Sequence, residues 1–292
     1  MDFTKLLPED CVCLIISLTS PRDALRLALV SPALRSIADS DAVWERFLPC
    51  DYQKNISGSS SPSLLSWAKK DLYFYLSSHP ILIENGTMSF QLEKETGKKC
   101  YMLGARALSI IWGETPEYWN WTDHPDSRFS EVAELRLVWW LDVKGKIETR
   151  KLSPGTNYAA YLVFKLRRRR YGFRQRTVGV HVNMEGTTSG EVRSVSLDYP
   201  QNVPQQAQER GDGWMEIEMG EFLNECGDDG TVEFCLREID CNYFKSGLII
   251  EGIEVRPKNV DRSTKWTNCK IHYHSTACPS GDARLKMEFV KS

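Results

Sequence analysis

The sequence predicts an α+β protein of two parts, a small all-helical unit followed by a larger all-β antiparallel sandwich. Apolar residues recur at helical spacing in the first fifty positions, whereas many short segments after residue 80 alternate with a period of two. A length of 292 residues fits about two domains. The 37 Lys and Arg nearly balance 39 Asp and Glu, which excludes a global attraction to nucleic acid or to anionic membranes.

The helical unit, residues 1–50, is predicted to contain three to four short helices. Ser20-Pro21 and Ser31-Pro32 each place a capping hydroxyl before a proline at the first helical position, and Asp41 is predicted to cap a further helix. The apolar residues at helical spacing are Leu14, Ile15, Leu18, Leu25, Leu29, Leu34, Ile37, Val43, Trp44, Phe47 and Leu48. A unit this small buries little surface by itself. The pattern therefore leaves two roles open, binding a partner or capping the larger domain.

Five segments of the helical unit resemble an F-box: Leu7-Pro8-Glu9-Asp10, Leu14-Ile15-Ile16, Ser20-Pro21-Arg22-Asp23, Val30-Ser31 and Val43-Trp44-Glu45-Arg46-Phe47. The resemblance implies docking of an apolar helical face on the Skp1-like adaptor of a cullin-RING ubiquitin ligase. The residues that it implies for adaptor contact, or for support beneath that contact, are Leu7, Pro8, Ile15, Ile16, Pro21, Leu29, Val30, Trp44 and Phe47.

Residues 51–79 are predicted to connect the two parts. Residues 53–63 have the composition of a flexible linker, and one amphipathic helix is expected from Leu64 to Leu76 before Pro80. The strongest β pattern then runs through Leu135, Leu137, Trp139, Leu141 and Val143. Lys144-Gly145-Lys146 follows it as a candidate hairpin turn. Many short strands without intervening helices favour an antiparallel sandwich over a parallel α/β sheet.

Residues 112–121 contain three tryptophans and a tyrosine, in a segment whose glycine and proline disfavour a regular strand. A flat indole is suited to stack on the apolar face of a sugar ring, while nearby carboxylates accept hydrogen bonds from its hydroxyls. Composition alone favours a simpler alternative, in which these tryptophans fill one end of the sandwich core.

Further segments resemble, in one order, the plant phloem protein 2 lectins, which include the jasmonate-inducible lectin of tobacco. They are Ala107-Leu108-Ser109-Ile110-Ile111-Trp112, Pro116-Glu117-Tyr118-Trp119, Val132-Ala133-Glu134-Leu135, Trp140-Leu141-Asp142-Val143, Gly145-Lys146-Ile147-Glu148, Tyr161-Leu162-Val163-Phe164-Lys165, Gly213-Trp214, Gly220-Glu221-Phe222 and Gly252-Ile253-Glu254-Val255-Arg256-Pro257. The resemblance implies a jelly-roll lectin domain over residues 80–257 that binds N-acetylglucosamine oligomers or N-glycan cores. The implied carbohydrate-binding residues are Trp112, Trp119, Glu221 and Asp228, the last of which is a glutamate in the family.

Together the two resemblances imply a non-catalytic substrate receptor of an SCF-type ubiquitin ligase in the cytoplasm and nucleus. The helical unit would bind the ligase, and the lectin domain would hold a glycan or glycoprotein near the ubiquitin-charged enzyme. The alternative is a carbohydrate- or protein-binding module that acts without the ligase. No cofactor is implied. No membrane partner is predicted, because the apolar runs are far shorter than the ~18 residues of a spanning helix.

A local arginine run supports a rival function, nucleic-acid binding. Arg167-Arg168-Arg169-Arg170 lies close to Arg174 and Arg176, and clustered arginines bind phosphates or act as nuclear import signals. A solvated strand end is the favoured interpretation, because only Tyr171 and Phe173 are at hand to stack on bases.

Catalytic and metal sites are not predicted. A glycosidase would need paired carboxylates, such as Glu221 with Asp228 or Glu233 with Asp240, but acidic residues are too common for such pairs to indicate an enzyme. The tail, residues 258–292, has no assigned role. It contains four residue types that bind zinc, with a spacing that matches no standard finger: Cys269, His272, His274 and Cys278.

Overall fold

The computed structural model describes residues 7–174, 176–185, 192–198, 207–225, 230–239, 242–258, 271–274 and 286–289. The chain divides into two compact units, residues 1–258 and 259–292. In the second unit, Ile271–His274 pairs antiparallel with Lys286–Phe289. Of the residues considered for carbohydrate, glycosidase or zinc sites, four lie outside the described residues: Asp228, Asp240, Cys269 and Cys278.

Short helices make up the start of the first unit. They are α1 (Glu9–Ser17), α2 (Pro21–Leu27), α3 (Pro32–Ala38), α4 (Asp41–Phe47), α5 (Tyr52–Ser57) and α6 (Lys69–Ser78), with a 3-10 helix at Pro62–Ser66. Ser20 Oγ accepts a hydrogen bond from the Asp23 backbone N–H at 3.2 Å, which confirms the predicted start of α2. Ser31 caps α3 in the same way. No helix among the described residues is long and apolar enough to cross a membrane.

The connecting segment is more ordered than its composition predicts. Where a flexible linker is expected, the chain forms α5, and this helix buries Tyr52 and Ile56. The single helix expected from Leu64 to Leu76 is interrupted, because Trp67 and Ala68 have extended ψ angles of 153° and 140°. These two extended residues separate the 3-10 helix from α6, which packs on β2 of the sandwich.

The remainder of the first unit is a β-sandwich. Its strands are β1 (Ile81–Ile83), β2 (Met88–Leu92), β3 (Lys99–Gly104), β4 (Ser109–Ile110), β5 (Trp119–Thr122), β6 (Val132–Leu135), β7 (Leu141–Glu148), β8 (Thr156–Tyr171), β9 (Val178–Met184), β10 (Arg193–Val195), β11 (Gln208–Glu209), β12 (Met215–Asn224), β13 (Thr231–Glu238) and β14 (Ser246–Pro257). The larger sheet has the order β1-β2-β3-β14-β8-β12-β11, with β6 bonded to β14 and β5 to β6. The smaller sheet has the order β10-β9-β13-β7-β4. The predicted fold class, a small helical unit before an antiparallel β domain, is confirmed.

Side-chain alternation gives the larger sheet two different faces. On β8, Tyr158, Leu162 and Phe164 belong to the main hydrophobic core between the sheets. Tyr161 and Lys165 alternate with them and point away from that core, and neither side chain is fully buried. We call the surface on their side the outer face.

The helical unit and the sandwich share one hydrophobic core, which runs from α1 to β14. Trp44 on α4 is fully buried, and its ring lies 5.2 Å from the rings of Tyr73 and Phe74 on α6. Helix α6 packs in turn on β2. An ion pair joins Nζ of the buried Lys99 on β3 to Oδ2 of the partly exposed Asp51 at 2.9 Å, beside α5. The two parts of the sequence therefore form one packed body.

The predicted hairpin turn at Lys144-Gly145-Lys146 is wrong, because Gly145 lies within the continuous strand β7. A Cβ on Gly145 would lie 3.0 to 3.2 Å from the side chains of Leu108, Leu103 and Ile253, so the glycine makes room for core packing. The alternating run instead breaks over residues 136–140, where the chain leaves β6 in the larger sheet and enters β7 in the smaller one.

Candidate functional site

Large apolar side chains are exposed on α1, at its two ends, and just after α2. Ile15 is 52% exposed and Leu29 is 78% exposed. Helices α1 and α2 pack against each other, so these side chains belong to neighbouring elements. The members of this surface, which we call the apolar helical face, are Leu7, Leu14, Ile15, Leu18, Leu29 and Val30. Exposed apolar clusters of this kind are typical of protein interaction sites.

The residues that the F-box resemblance implies for adaptor binding divide into two groups by burial. Leu7, Pro8, Ile15, Leu29 and Val30 are exposed. The others are buried beneath them or in the shared core: Ile16, Pro21, Trp44 and Phe47. Leu14 and Leu18 are not among the implied residues, yet both are exposed, and Leu18 lies four positions after Leu14 and three after Ile15, the spacing of neighbours on a helix surface.

An exposed aromatic cluster follows β4. Trp112 has a φ of +54°, a left-handed conformation that is unusual for a bulky residue, and its side chain is 42% exposed. Its ring lies 5.4 Å from the ring of Tyr118 and 6.4 Å from that of Trp140. We call Trp112, Tyr118 and Trp140 the tryptophan rim.

Trp119 lies beneath the rim and not on it. Its side chain is 1% exposed, and its indole N–H donates to the Ile111 carbonyl at 3.1 Å. Trp121 donates similarly to the Gly113 carbonyl at 2.8 Å. Both indoles therefore hold the backbone on either side of Trp112, and the ring of Trp119 has no open face for a ligand.

Glu221 lies on the outer face of β12 and is held by two neighbours. Lys258 Nζ lies 2.5 Å from its Oε1, and Asn157 Nδ2 donates to its Oε2 at 3.1 Å. The hydrogen bond from Lys258 lowers the pKa of Glu221 below its usual range. The side chain is therefore an ionised acceptor at neutral pH.

The structure does not bring the tryptophans together with Glu221. Glu221 pairs with Ala159 on β8, whereas Trp119 pairs with Leu135, next to Glu134. Glu134 pairs with Ile249 on β14, and Ile249 pairs in turn with Lys165 on β8. Lys165 lies six positions along β8 from Ala159, the partner of Glu221. At about 3.3 Å per residue, these points are roughly 20 Å apart along the strand. Asp228, the fourth predicted carbohydrate residue, lies outside the described residues.

A cavity of 290 Å³ opens on the outer face, close to Glu221. Its walls come from strands of both sheets, and the sequence analysis did not anticipate it, because its residues are far apart in the chain. The lining residues are Tyr161, Arg193, Gln208, Glu216, Ile217, Glu218 and Arg256. We call it the outer-face cavity.

The floor of this cavity belongs to a partly buried network of two acids and two arginines, of which Glu216 and Arg256 line the cavity. Arg256 contacts both carboxylate oxygens of Glu216, at 2.5 and 2.9 Å, and reaches Glu254 at 2.8 Å. Arg210 bonds to the same two acids, at 2.8 and 2.5 Å. Burial alone would raise the pKa of Glu254, but the hydrogen bond and charge of Arg210 hold it below its usual range. In formal charge the two guanidinium groups balance the two carboxylates, and Arg210 also contacts Asp212 at 3.1 Å.

The walls above the floor are paired as well. Glu218 contacts Arg193 at 3.2 Å and Lys258 at 3.0 Å, and Lys258 also binds Glu221. The Arg256 guanidinium lies 3.8 Å from the ring centroid of Tyr161 and covers one face of that ring. Each charged side chain that lines the cavity therefore has an opposite charge beside it.

The arginine run on β8 is partly neutralised. Arg167 Nη2 donates to Glu134 at 2.7 Å, and Arg170 forms two hydrogen bonds to Asp198, at 2.7 and 2.6 Å. Phe173, one of the two aromatic residues close enough in sequence to stack on bases, is buried. These contacts favour the strand-end interpretation of the run over a nucleic-acid site.

Comparison with known proteins supports both resemblances. An F-box domain model matches residues 5–46, and a Phloem protein 2 model matches residues 98–257. From Arabidopsis thaliana, F-box protein At2g02240 is 45% identical over 260 residues, covering 86% of this chain and 79% of that protein. F-box protein PP2-B10 of the same plant is 43% identical over 258 residues, covering 87% of this chain and 93% of its own length. The chain therefore belongs to the plant F-box proteins that carry a phloem protein 2 domain.

Proposed function

We propose that this protein is a substrate-recognition subunit of an SCF-type cullin-RING ubiquitin ligase, active in the cytoplasm and nucleus. Its F-box binds a Skp1-like adaptor, and its β-sandwich holds a target that carries N-acetylglucosamine-containing glycans. The main support for this proposal is that a single packed body presents two kinds of surface. Its F-box presents the apolar helical face, and its sandwich presents the tryptophan rim and the outer-face cavity. The chain acts without catalysis of its own, since holding a target beside the charged enzyme raises the effective concentration of its lysines.

Adaptor binding uses the exposed members of the implied set. Burial of a Leu, Ile or Val side chain contributes about 1.5–3 kcal/mol, so burying Ile15, Leu29 and Val30 in an apolar groove of the adaptor favours binding. The buried members, such as Trp44 and Ile16, support this face by fixing the helices beneath it.

Acidic substitutions on the apolar helical face test the ligase half of the proposal. We expect Ile15→Asp and Leu29→Asp in the full-length chain to weaken adaptor binding at least 100-fold in a pull-down titration, because a carboxylate cannot be buried unpaired. Leu223→Asp is the matched control, since Leu223 is an exposed leucine on β12, outside the F-box. Adaptor affinity that survives both F-box substitutions would remove this half of the proposal.

Glycan recognition is supported by the chemistry of the sandwich surfaces. Trp112 and Trp140 offer exposed indole surface for sugar stacking, and Glu221 offers an ionised acceptor for hydroxyls. Because Glu221 lies at a different part of the sheet, these residues act at separate contacts, with Trp119 as support for the rim.

A glycan array with the full-length wild type tests this half of the proposal. We expect binding to N-acetylglucosamine oligomers and N-glycan cores. A protein ligand held at the tryptophan rim is the competing outcome, since exposed aromatic clusters also anchor protein interfaces. Absence of glycan binding by the wild type would favour that outcome.

A further inference from the structure

The outer-face cavity is built on regular strands and not on loops. Tyr161 comes from β8, Glu216 and Glu218 from β12, and Arg256 from β14, all in hydrogen-bonded register. Gln208 on β11 closes one side. Sites on strands hold their side chains more precisely than sites on loops, so this cavity is preorganised for a ligand.

The charges of the cavity select against an ionic ligand. Glu216 is neutralised by two arginines in the floor, and Glu218 is shared by Arg193 and Lys258 in the wall. An anion or a cation would have to displace one of these pairs, at the cost of an unpaired charge. The cavity therefore suits a neutral molecule that both donates and accepts hydrogen bonds.

The side chains that line the cavity supply the hydrogen-bonding groups and the apolar surface that a neutral polar molecule needs. Arg193 and Gln208 are donors, Glu216 and Glu218 are charged acceptors, and Tyr161 adds apolar ring surface next to a hydroxyl. The stacked Arg256 guanidinium fixes the orientation of that ring. A pyranose has the complementary chemistry, with an apolar C–H surface and hydroxyls that donate and accept.

The volume limits how much of a ligand enters. At 290 Å³ the cavity is at the lower end of small-molecule pockets, which measure about 300–1,000 Å³. We infer that the outer-face cavity binds one neutral sugar residue, separately from the tryptophan rim, an inference that rests on the proposed glycan-binding function. The rest of an oligosaccharide would extend across the outer face past Glu221, which shares Lys258 with the cavity wall.

Calorimetric titration of the full-length protein with N,N′-diacetylchitobiose tests the assignment. We expect Tyr161→Ala to raise the dissociation constant at least tenfold, because the variant loses both the ring surface and the hydroxyl. Tyr161→Phe, which keeps the ring, should recover most of that loss. Tyr171→Ala, at an exposed tyrosine further along the same strand, is the matched aromatic control and should stay within threefold of the wild type. Thermal unfolding of each variant verifies that it is folded.

Glu218→Gln gives a second readout that does not depend on the aromatic ring. The substitution leaves Arg193 and Lys258 with one negative charge fewer between them, so the cavity becomes positively charged. We expect weaker binding of diacetylchitobiose and a gain of at least fivefold in affinity for the anionic disaccharide glucuronyl-N-acetylglucosamine. A structural role alone would not produce this change of preference.

The outcomes separate the inference from the proposed function. The sugar site lies at the rim if the wild type binds diacetylchitobiose, Trp112→Ala abolishes this binding, and Tyr161→Ala and Glu218→Gln each bind within twofold of the wild type. The inference is then overturned while the proposed function stands. If the wild type binds no neutral glycan on the array or in titration, both the inference and the glycan half of the proposed function fall.

Discussion

Trp112 is presented to solvent by a backbone conformation that other tryptophans hold in place. A left-handed φ at a bulky residue costs on the order of 1–2 kcal/mol, and the indole hydrogen bonds of Trp119 and Trp121 to the Ile111 and Gly113 carbonyls offset this cost. The aromatic composition of this segment identifies it from sequence. Which indole is exposed follows from the register of β5 with β6, which composition does not specify.

Substitution of the two tryptophans should separate support from contact. We expect Trp119→Ala to lower the free energy of unfolding by about 3–5 kcal/mol, as for other buried tryptophans, and Trp112→Ala to lower it by less than about 1 kcal/mol. Urea unfolding measures both values. Similar losses for the two variants would contradict the assignment of Trp119 as the supporting residue.

Glu251 is a buried carboxyl whose second oxygen lacks a partner among the described residues. Its Oε1 accepts from the Arg128 backbone N–H at 3.0 Å and from Ser127 Oγ at 3.3 Å. Burial raises the pKa of Glu251, and the nearby charges of Arg128 and Arg210 only partly oppose this rise. Because the folded pKa exceeds the unfolded value, stability falls as pH rises through the window between them.

Glu251→Gln should therefore stabilise the protein in a pH-dependent way. The variant keeps an oxygen acceptor and cannot ionise, so we expect a gain of about 1–3 kcal/mol at pH 8 and almost none at pH 4. Urea unfolding across this range measures the difference. Glu131→Gln is the control and should show no gain, because Glu131 is paired with Arg106 at the surface. An equal gain at both pH values would contradict ionisation as the cause.

At the scale of elements, the two Ser-Pro helix starts are confirmed, whereas the cap predicted at Asp41 is wrong, because Asp41 is the first residue of α4 and its Oδ1 accepts from the Lys69 backbone N–H. The starts of α2 and α3 follow from Ser20 and Ser31, which bond to residues three positions away. Gly145 carries the same turn signal as a hairpin glycine, yet it is an interior strand residue because Leu103 and Ile253 approach it from other strands. The outer-face cavity depends on the same kind of distant pairing, so single-sequence reasoning does not reveal it.

Alanine at Gly145 distinguishes a packed strand position from a turn. A methyl group there would crowd three core side chains, so we expect Gly145→Ala to lower the free energy of unfolding by about 1–3 kcal/mol. Gly211→Ala is the matched control, because a Cβ at Gly211 meets no atom within 4 Å. Chemical denaturation of both variants gives the comparison. An unchanged stability for Gly145→Ala would contradict close packing of Leu108, Leu103 and Ile253 around this position.

At the scale of the whole molecule, the F-box and the sandwich are joined by packing. Composition predicts a linker at residues 53–63, since serine is abundant there. The structure instead buries Tyr52 and Ile56 of α5, and Trp44 of the F-box packs on α6. The sequence does not predict this packing between the F-box and the sandwich, because the apolar pattern of each part also fits a separate domain.

A shared core predicts that the two parts unfold together. We expect Trp44→Ala to increase hydrogen exchange in β2 and β3 as well as in the F-box helices, with a loss of about 3–5 kcal/mol in the free energy of unfolding. Leu29→Asp is the control, since it should abolish adaptor binding without changing exchange in the sandwich. Increased exchange confined to the F-box in Trp44→Ala would show two independent domains.

Continuous packing from α1 to β14 has a consequence for the proposed ligase role. A rigid receptor holds its target in one orientation relative to the ligase. The distance between them is then fixed, whereas a flexible linker would sample many distances. The position of a lysine on the target's surface would then decide whether it is ubiquitinated. A lysine on the side facing away from the ubiquitin-charged enzyme would stay unmodified, however long the complex lasts.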